Sequence, residues 1–405
     1  MNFYKRVAAA VLAMILAATL AACGSTSAAD SGVIRVGTIC SCSGSMASSL
    51  GRAGDVAQAW AKSVNAAGGI NGTKVKLYVK DDGGDPAKGL QAAKELVQQD
   101  KVMAIVGDAS VVDGAWADYV DKEGIPVIGG EPVFPPFATN KSFFPVGGSL
   151  AVEMYSSFVV GKAGGASKIG FLYCAESPVC ANLEKPASQY AKSLGVGFKS
   201  AKVSATAPDY NSVCLNFKNG GLNAMMIDDT PAVTQRIVQG CAQQGFKPME
   251  VANTGAASVQ WLTDPNFEGT TVTSVNANYT DESIPGVKAF LTAMDKYVPG
   301  LRTSDQFAYP LFWIWAGGKL FEAAAKAGKI TASSTAADVE NGLYSLKGET
   351  LGGIAPPLTF TRGKPAFIPC YFNIRVQQGK FVSHGTKPVC LTAAQQKFIK
   401  DAGVF

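Results

Sequence analysis

VIRVGTICSCSGSMASSLGRAGDVAQAWAKSVNAAGGINGTKVKLYVKDDGGDP, residues Val33 to Pro86, decides how the rest of the chain is read. Val33 to Ile39 alternates apolar and polar residues as a strand does. A loop of small polar residues follows, Cys40 to Ser49. From Gly51 the spacing predicts a helix, because Val56, Trp60 and Val64 recur on one face. Gly68 and Gly69 end it, since glycine takes the left-handed conformation of a helix C-cap without steric cost. Lys74 to Lys80 is a second strand, and Asp85-Pro86 opens another helix with an aspartate cap and proline in the first turn. The order is strand, open loop, helix, strand. In open α/β sheets that loop, outside the carboxyl end of a strand, is where ligands bind.

The same rhythm continues outward. Val102 to Val106 and Ile125 to Ile128 are short apolar strands with a helix at Ala115 to Glu123 between them. An irregular loop, Gly129 to Phe137, follows the second of these, because its prolines cannot sustain regular structure. Phe143 to Gly148 is read as a first crossing into a second lobe. That lobe repeats the alternation, with strands at Lys168 to Tyr173, Gly197 to Val203, Ala224 to Ile227 and Phe267 to Val275. A second crossing is placed near Asn276 to Tyr279, and a third at Gly352 to Pro357. Helices at Gly286 to Tyr297, Phe307 to Ala327 and Ala336 to Ser345 return to the first lobe, and Ile368 to Val376 with Lys380 to Ser383 close the second.

The run AAGGINGTKVKLYVKDDGGDPAKGLQAAKELVQQDKVMAIVG, Ala66 to Gly107, resembles the first lobe of the substrate-binding proteins of branched-chain amino-acid ABC transporters, which are type I periplasmic binding proteins. Gly68-Gly69-Ile70-Asn71-Gly72, Asp81-Asp82 with Asp85-Pro86, and Val106-Gly107 carry the resemblance. It implies an α/β protein of two Rossmann-like lobes joined by a three-crossing hinge. Lobe 1 would comprise residues 33–148 and 278–353, and lobe 2 residues 149–277 and 354–405. It also implies a non-enzymatic receptor that closes on a small molecule and delivers it to an ABC permease and its ATPase subunits, working as a monomer without a cofactor.

Residues 1–22 read as a targeting segment: Lys5 and Arg6 are its positive region and Val7 to Leu20 its apolar stretch. Leu20-Ala21-Ala22-Cys23 resembles a bacterial lipobox, which implies cleavage before Cys23 and a lipid on its sulfur, with residues 23–32 as a flexible tether. The expected location is the outer face of the cytoplasmic membrane or the periplasm. With 405 residues, nearly half of them hydrophobic and only 17% charged, the chain can bury cores for two lobes. Its net charge of +5 comes from scattered lysines and arginines, which argues against a nucleic-acid partner. A single histidine, His384, excludes His-based catalysis and multi-His metal sites. No serine-nucleophile elbow and no glycine fingerprint after the first strand point to an enzyme. A ligand-sensing subunit of a membrane receptor or kinase is the alternative function, and an exported enzyme ranks last.

Eight cysteines remain after Cys23, an even number that suits disulfides in an exported protein. Connectivity is formally open. Neighbour pairing gives Cys174–Cys180, Cys214–Cys241 and Cys370–Cys390, and leaves Cys40–Cys42 as a tight pair or, in the rival reading, a thiolate site.

The candidate ligand contacts lie on strand-end loops. Ser110 leads, because a hydroxyl with free backbone N–H groups suits an anionic or carbonyl group. Val111, Ser45, Leu50, Glu131 and Phe134 join it from the first lobe, Asp229 from the second and Trp313 from the helix near the hinge. Trp313 and Trp315 lie two apart on a helix and so face different ways. The family's amino-acid binders hold a ligand carboxylate with hydroxyls and an ammonium with an acid. Here Val111 stands where a second hydroxyl is usual, and no acid is evident around Asn253-Thr254-Gly255. The expected ligand is therefore a small carboxylic acid, amide or aromatic compound, with an amino acid less favoured.

Overall fold

A computed structural model describes residues 32–176, 178–385 and 387–402, so the expectations for residues 1–31, Cys23 among them, lie outside the described residues. The first half runs β1 (Val33–Cys40), α1 (Ala47–Leu50), α2 (Ala53–Ala66), β2 (Lys74–Asp81), α3 (Pro86–Gln98), β3 (Ile105–Asp108), α4 (Ala117–Glu123), β4 (Val127–Gly130), α5 (Pro135–Thr139) and β5 (Phe143–Phe144). The strands form a parallel sheet in the order β2-β1-β3-β4-β5. Asp85 caps α3 as its position before Pro86 suggests, accepting hydrogen bonds from Ala87 N at 2.8 Å and Lys88 N at 3.0 Å. The loop after β1 is less open than expected, since α1 and a short turn of 3-10 helix occupy Gly44 to Leu50.

The second half runs α6 (Leu150–Ala163), β6 (Lys168–Cys174), α7 (Pro178–Ser193), β7 (Gly197–Val203), α8 (Asn211–Asn219), β8 (Ala224–Asp228), α9 (Pro231–Gln243), β9 (Met249–Ala252) and β10 (Thr271–Ser274). Its parallel strands are ordered β7-β6-β8-β9-β10, the same winding as in the first sheet. Each sheet therefore has a point where the winding reverses, between β1 and β3 and between β6 and β8. Crevices for ligands open at such points. Strand β9 escaped the sequence reading, because Met249-Glu250-Val251-Ala252 is too short and mixed to show a period.

The remaining elements are α10 (Pro285–Tyr297), α11 (Tyr309–Ala327), α12 (Ala336–Ser345), β11 (Lys347–Glu349), β12 (Leu358–Thr359), β13 (Cys370–Gln377), β14 (Lys380–Ser383), β15 (Val389–Cys390) and α13 (Ala393–Ala402). Strands β13 and β14 extend the second sheet in antiparallel fashion beyond β10. Helix α11 lies on the first sheet at backbone distance. A Cβ on Gly129 would fall 2.1 Å from the Gly317 Cα, and one on Gly318 would fall 2.4 Å from the Trp60 ring. Only glycines allow that approach, and Leu311, Phe312, Ile314, Leu320 and Phe321 bury the rest of the helix.

Asn276, in the second crossing, donates from Nδ2 to Val146 O of the first crossing at 2.8 Å and to Ile354 O of the first lobe at 3.4 Å, and Ala277 N donates to the same Ile354 O at 2.8 Å. Two expected boundaries shift. Phe143 and Phe144 are a strand of the first sheet, so the first crossing begins after them. Residues 354–362, expected in lobe 2, stay with the first lobe: β12 pairs with β11, Phe360 meets Phe144 at 5.2 Å, and Arg362 donates to Asn341 Oδ1 at 2.6 Å. The chain leaves only between there and β13.

All four cysteine pairs are disulfides: Cys40–Cys42, Cys174–Cys180, Cys214–Cys241 and Cys370–Cys390. The thiolate-site reading of Cys40 and Cys42 is thereby overturned. Among the described residues no helix is long and apolar enough to cross a membrane.

Candidate ligand-binding cleft

At the reversal point of the first sheet the polar groups are acids and their donors. Asp82, fully buried after β2, accepts from Ser41 Oγ at 2.7 Å, Ser110 Oγ at 2.5 Å and Gly84 N at 2.8 Å. Trp116 Nε1 in turn donates to Ser110 Oγ at 3.3 Å, and Val111 N to Ser41 Oγ at 3.1 Å. Asp108 ends β3 and accepts from Ser110 N at 3.1 Å, while its Oδ2 is buried without a partner. Asp113 is 3% exposed and its Oδ2 is also unpartnered. Glu131, 7% exposed, follows β4.

Burial and mutual repulsion set the charge of these groups. Burial first, then the neighbouring Asp113, hold Asp108 well above the carboxylate range. Burial, then the nearby Asp82, raise Asp113 to about 7. Burial, then Asp113, push Glu131 up to about 8. The ion pairs of this lobe lie elsewhere, Lys141 with Asp121 at 2.7 Å and Lys80 with Glu95 at 3.0 Å.

Opposite them, the second lobe brings Glu153 from α6 to the end of β9. Its Oε1 accepts from Thr254 N at 3.1 Å and from Thr254 Oγ1. Burial raises Glu153 to about 7 against those bonds. Asp228, at the end of β8, accepts from Asn253 Nδ2 at 2.8 Å. Between the lobes, Tyr309 at the start of α11 stands 4.6 Å from the Tyr279 ring and 6.3 Å from Trp313. A groove of about 980 Å³ runs beside this centre, walled by Val111, Val112, Val133, Phe134 and Pro135 of the first lobe and reached by Leu150 and Asn182 of the second.

Two matched lobes, a three-strand hinge and a polar centre at the facing strand ends agree with the comparison by family. The family model described as "Periplasmic binding protein" matches residues 33–380. The chain belongs to that family.

Solved structures similar to this periplasmic binding protein share its fold at low identity. A branched-chain amino acid ABC transporter protein from Thermus thermophilus, with bound valine, is 14% identical with a TM-score of 0.75, over 92% of this chain and 100% of that one. A solute-binding protein from R. palustris, in complex with benzoate, is 14% identical with a TM-score of 0.67, over 90% of this chain and 99% of that one. An "Amino acid binding protein" of Pseudomonas aeruginosa is 51% identical over 47 residues, 12% of this chain and 13% of the relative's own length.

The periplasmic binding protein places the sequence candidates unevenly. Val111 and Phe134 line the groove. Glu131 lies among the acids behind it. Trp313 is 2% exposed, with its Nε1 unpartnered, close to Tyr309. Trp315 turns away to Phe290 at 5.9 Å, as the two-residue offset requires. Asp229 is half-buried with Oδ2 unpartnered, and its Oδ1 accepts from Thr230 N at 2.7 Å. Leu50 is buried in the apolar core and Ser45 is exposed; neither lines the groove.

Two readings need correcting. Ser110 does not offer its donors to a ligand, because Asp82 takes its O–H and Asp108 its N–H. The neighbourhood of Asn253 to Gly255 does contain acids, Glu153 and Asp228. Glu153 lies 101 residues from Thr254, so no local pattern could reveal it. A glutamate in the first turn of a largely apolar helix, LAVEMYSSFVV, was the signal available.

Proposed function

We propose that this periplasmic binding protein is the lipid-anchored, extracytoplasmic solute receptor of an ABC importer. It is not an enzyme. It takes a small organic molecule into the cleft between lobes and presents the closed form to the permease. Cys23 carries the anchor, and the residues up to β1 act as the tether. The observation that supports this reading best is the groove shared by two lobes of like winding, lined by Val111 and Phe134 of the first and by Leu150 and Asn182 of the second.

Such a receptor works by population shift: the ligand favours the closed form because it touches both lobes only there. The test uses the full chain in detergent, screened by thermal unfolding against amino acids, amides, amines and aromatic acids. A ligand at a hundred times its Kd adds about 2.7 kcal/mol of stability, and the same ligand should shrink the radius of gyration in X-ray scattering. A ligand consumed during the assay would point to an enzyme instead. Cys23→Ser should release the protein from membranes.

A further inference from the structure

Three acids of the first lobe, Asp108, Asp113 and Glu131, are buried together, and the charges that act on them are other carboxylates. A buried carboxylate is destabilising unless a counter-charge or hydrogen bonds compensate it. Here the compensation is incomplete, since the Oδ2 atoms of Asp108 and Asp113 have no partner. The orphaned oxygen of Asp113 belongs to a residue that lines the groove. That groove is otherwise apolar on this side, walled by Val111, Val133 and Phe134. The rim lysine, Lys141, is already held by both oxygens of Asp121, at 2.7 and 2.8 Å. A metal ion is not the missing charge, because among the described residues no group of three or more acids, cysteines or histidines could hold one.

We propose that the cleft receives an organic cation with an apolar body, its ammonium, amidinium or guanidinium head donating to Asp113 Oδ2 with Asp108 and Glu131 behind it, and its body on Val111, Val133 and Phe134. This rests on the receptor reading above and names the ligand class of that receptor. A carboxylate ligand is disfavoured there, because these acids offer it no counter-charge and Ser110 no free donor.

The same groups predict how binding responds to pH. In the empty cleft Asp113 and Glu131 hold protons near neutrality, and a bound cation favours their ionised forms. Protons are then released on binding, and affinity rises with pH. Asp82 and Asp108 face Asp113 from behind, while Asp118, Asp121 and Lys141 stand on the groove's rim.

The test compares benzamidine, benzamide and benzoate, which share a shape and differ in charge, with phenethylamine, valine and leucine beside them. Calorimetry on the full chain in detergent should show benzamidine or phenethylamine binding at least about ten-fold tighter than benzamide, with benzoate not binding. Asp113→Asn should cut that affinity by about ten-fold or more yet raise the melting temperature near pH 8, since it removes a buried acid. Glu131→Gln should weaken binding less and flatten the pH dependence. Benzamide binding as tightly as benzamidine would overturn the inference. Benzoate, valine or leucine binding while the amines fail would overturn it too, and leave the receptor reading intact. If no probe binds, both fall.

Discussion

Asp82 organises the first lobe's reversal point through hydrogen bonds from Ser41, Ser110 and Gly84. Asp82→Ala would strand two buried hydroxyls, and equilibrium denaturation should show a loss on the order of 3 kcal/mol. Ser110→Ala removes one of the bonds, for roughly 1–3 kcal/mol. Because its donors already serve Asp82 and Asp108, it should change ligand affinity less than about three-fold; a larger loss would restore Ser110 as a ligand contact. Serine at the end of an apolar strand was legible as a residue at the crevice. Its partner was not, because Asp82 is 28 positions away and only the pairing of β1 with both β2 and β3 brings it near. Glu153 was missed for the same reason. Side-chain polarity at a site depends on which acids arrive from elsewhere, and spacing along one element carries no record of that.

Among the elements, α11 shows what periodicity can and cannot say. Its length and apolar content were plain from Phe307 to Ala327. Its glycines gave no hint that the helix axis would sit almost on the strands. Gly317→Ala would bring a methyl to 2.8 Å from Ile128 O and 3.0 Å from the Gly107 backbone. Overpacking against main chain should cost roughly 1–3 kcal/mol, measured by the denaturation midpoint. Between α8 and α9, the buried Cys214–Cys241 bridge closes a span of 27 residues. Replacing both cysteines by alanine should lower stability by about 3 kcal/mol, read from the denaturation midpoint without reductant, with the other three bridges intact. Neighbour pairing found this bridge because each cysteine sits on a helix adjacent in sequence and in space. Strand β9 had no such local mark.

For the molecule as a whole, the raised acids predict an unusual pH response. Asp108, Asp113, Glu131, Glu153 and Glu250 all bind protons more tightly folded than unfolded, chiefly because they are buried. Their contribution is fully present below the unfolded carboxylate range and is lost as pH rises through the folded values, about 7 for Asp113 and Glu153 and about 8 for Glu131. The empty protein should therefore melt several degrees higher at about pH 5 than at about pH 8.5. Scanning calorimetry across that range checks it, and a flat or rising profile would mean that the acids are solvated or paired. The two-lobe plan itself was legible early, because alternating strands and helices allow few topologies. The third crossing was misplaced, because glycines and prolines mark a turn without saying which lobe the turn serves.

The packing of α11 on β3 and β4 also bears on the order in which the protein can assemble during synthesis. Strands β3 and β4 are complete once residue 130 has been made, yet the helix that covers them ends at residue 327. A growing chain thus carries one uncovered apolar face of its first sheet through most of its translation, and its first lobe is completed only late. It remains threadable until late, which suits the extracytoplasmic location that the family implies.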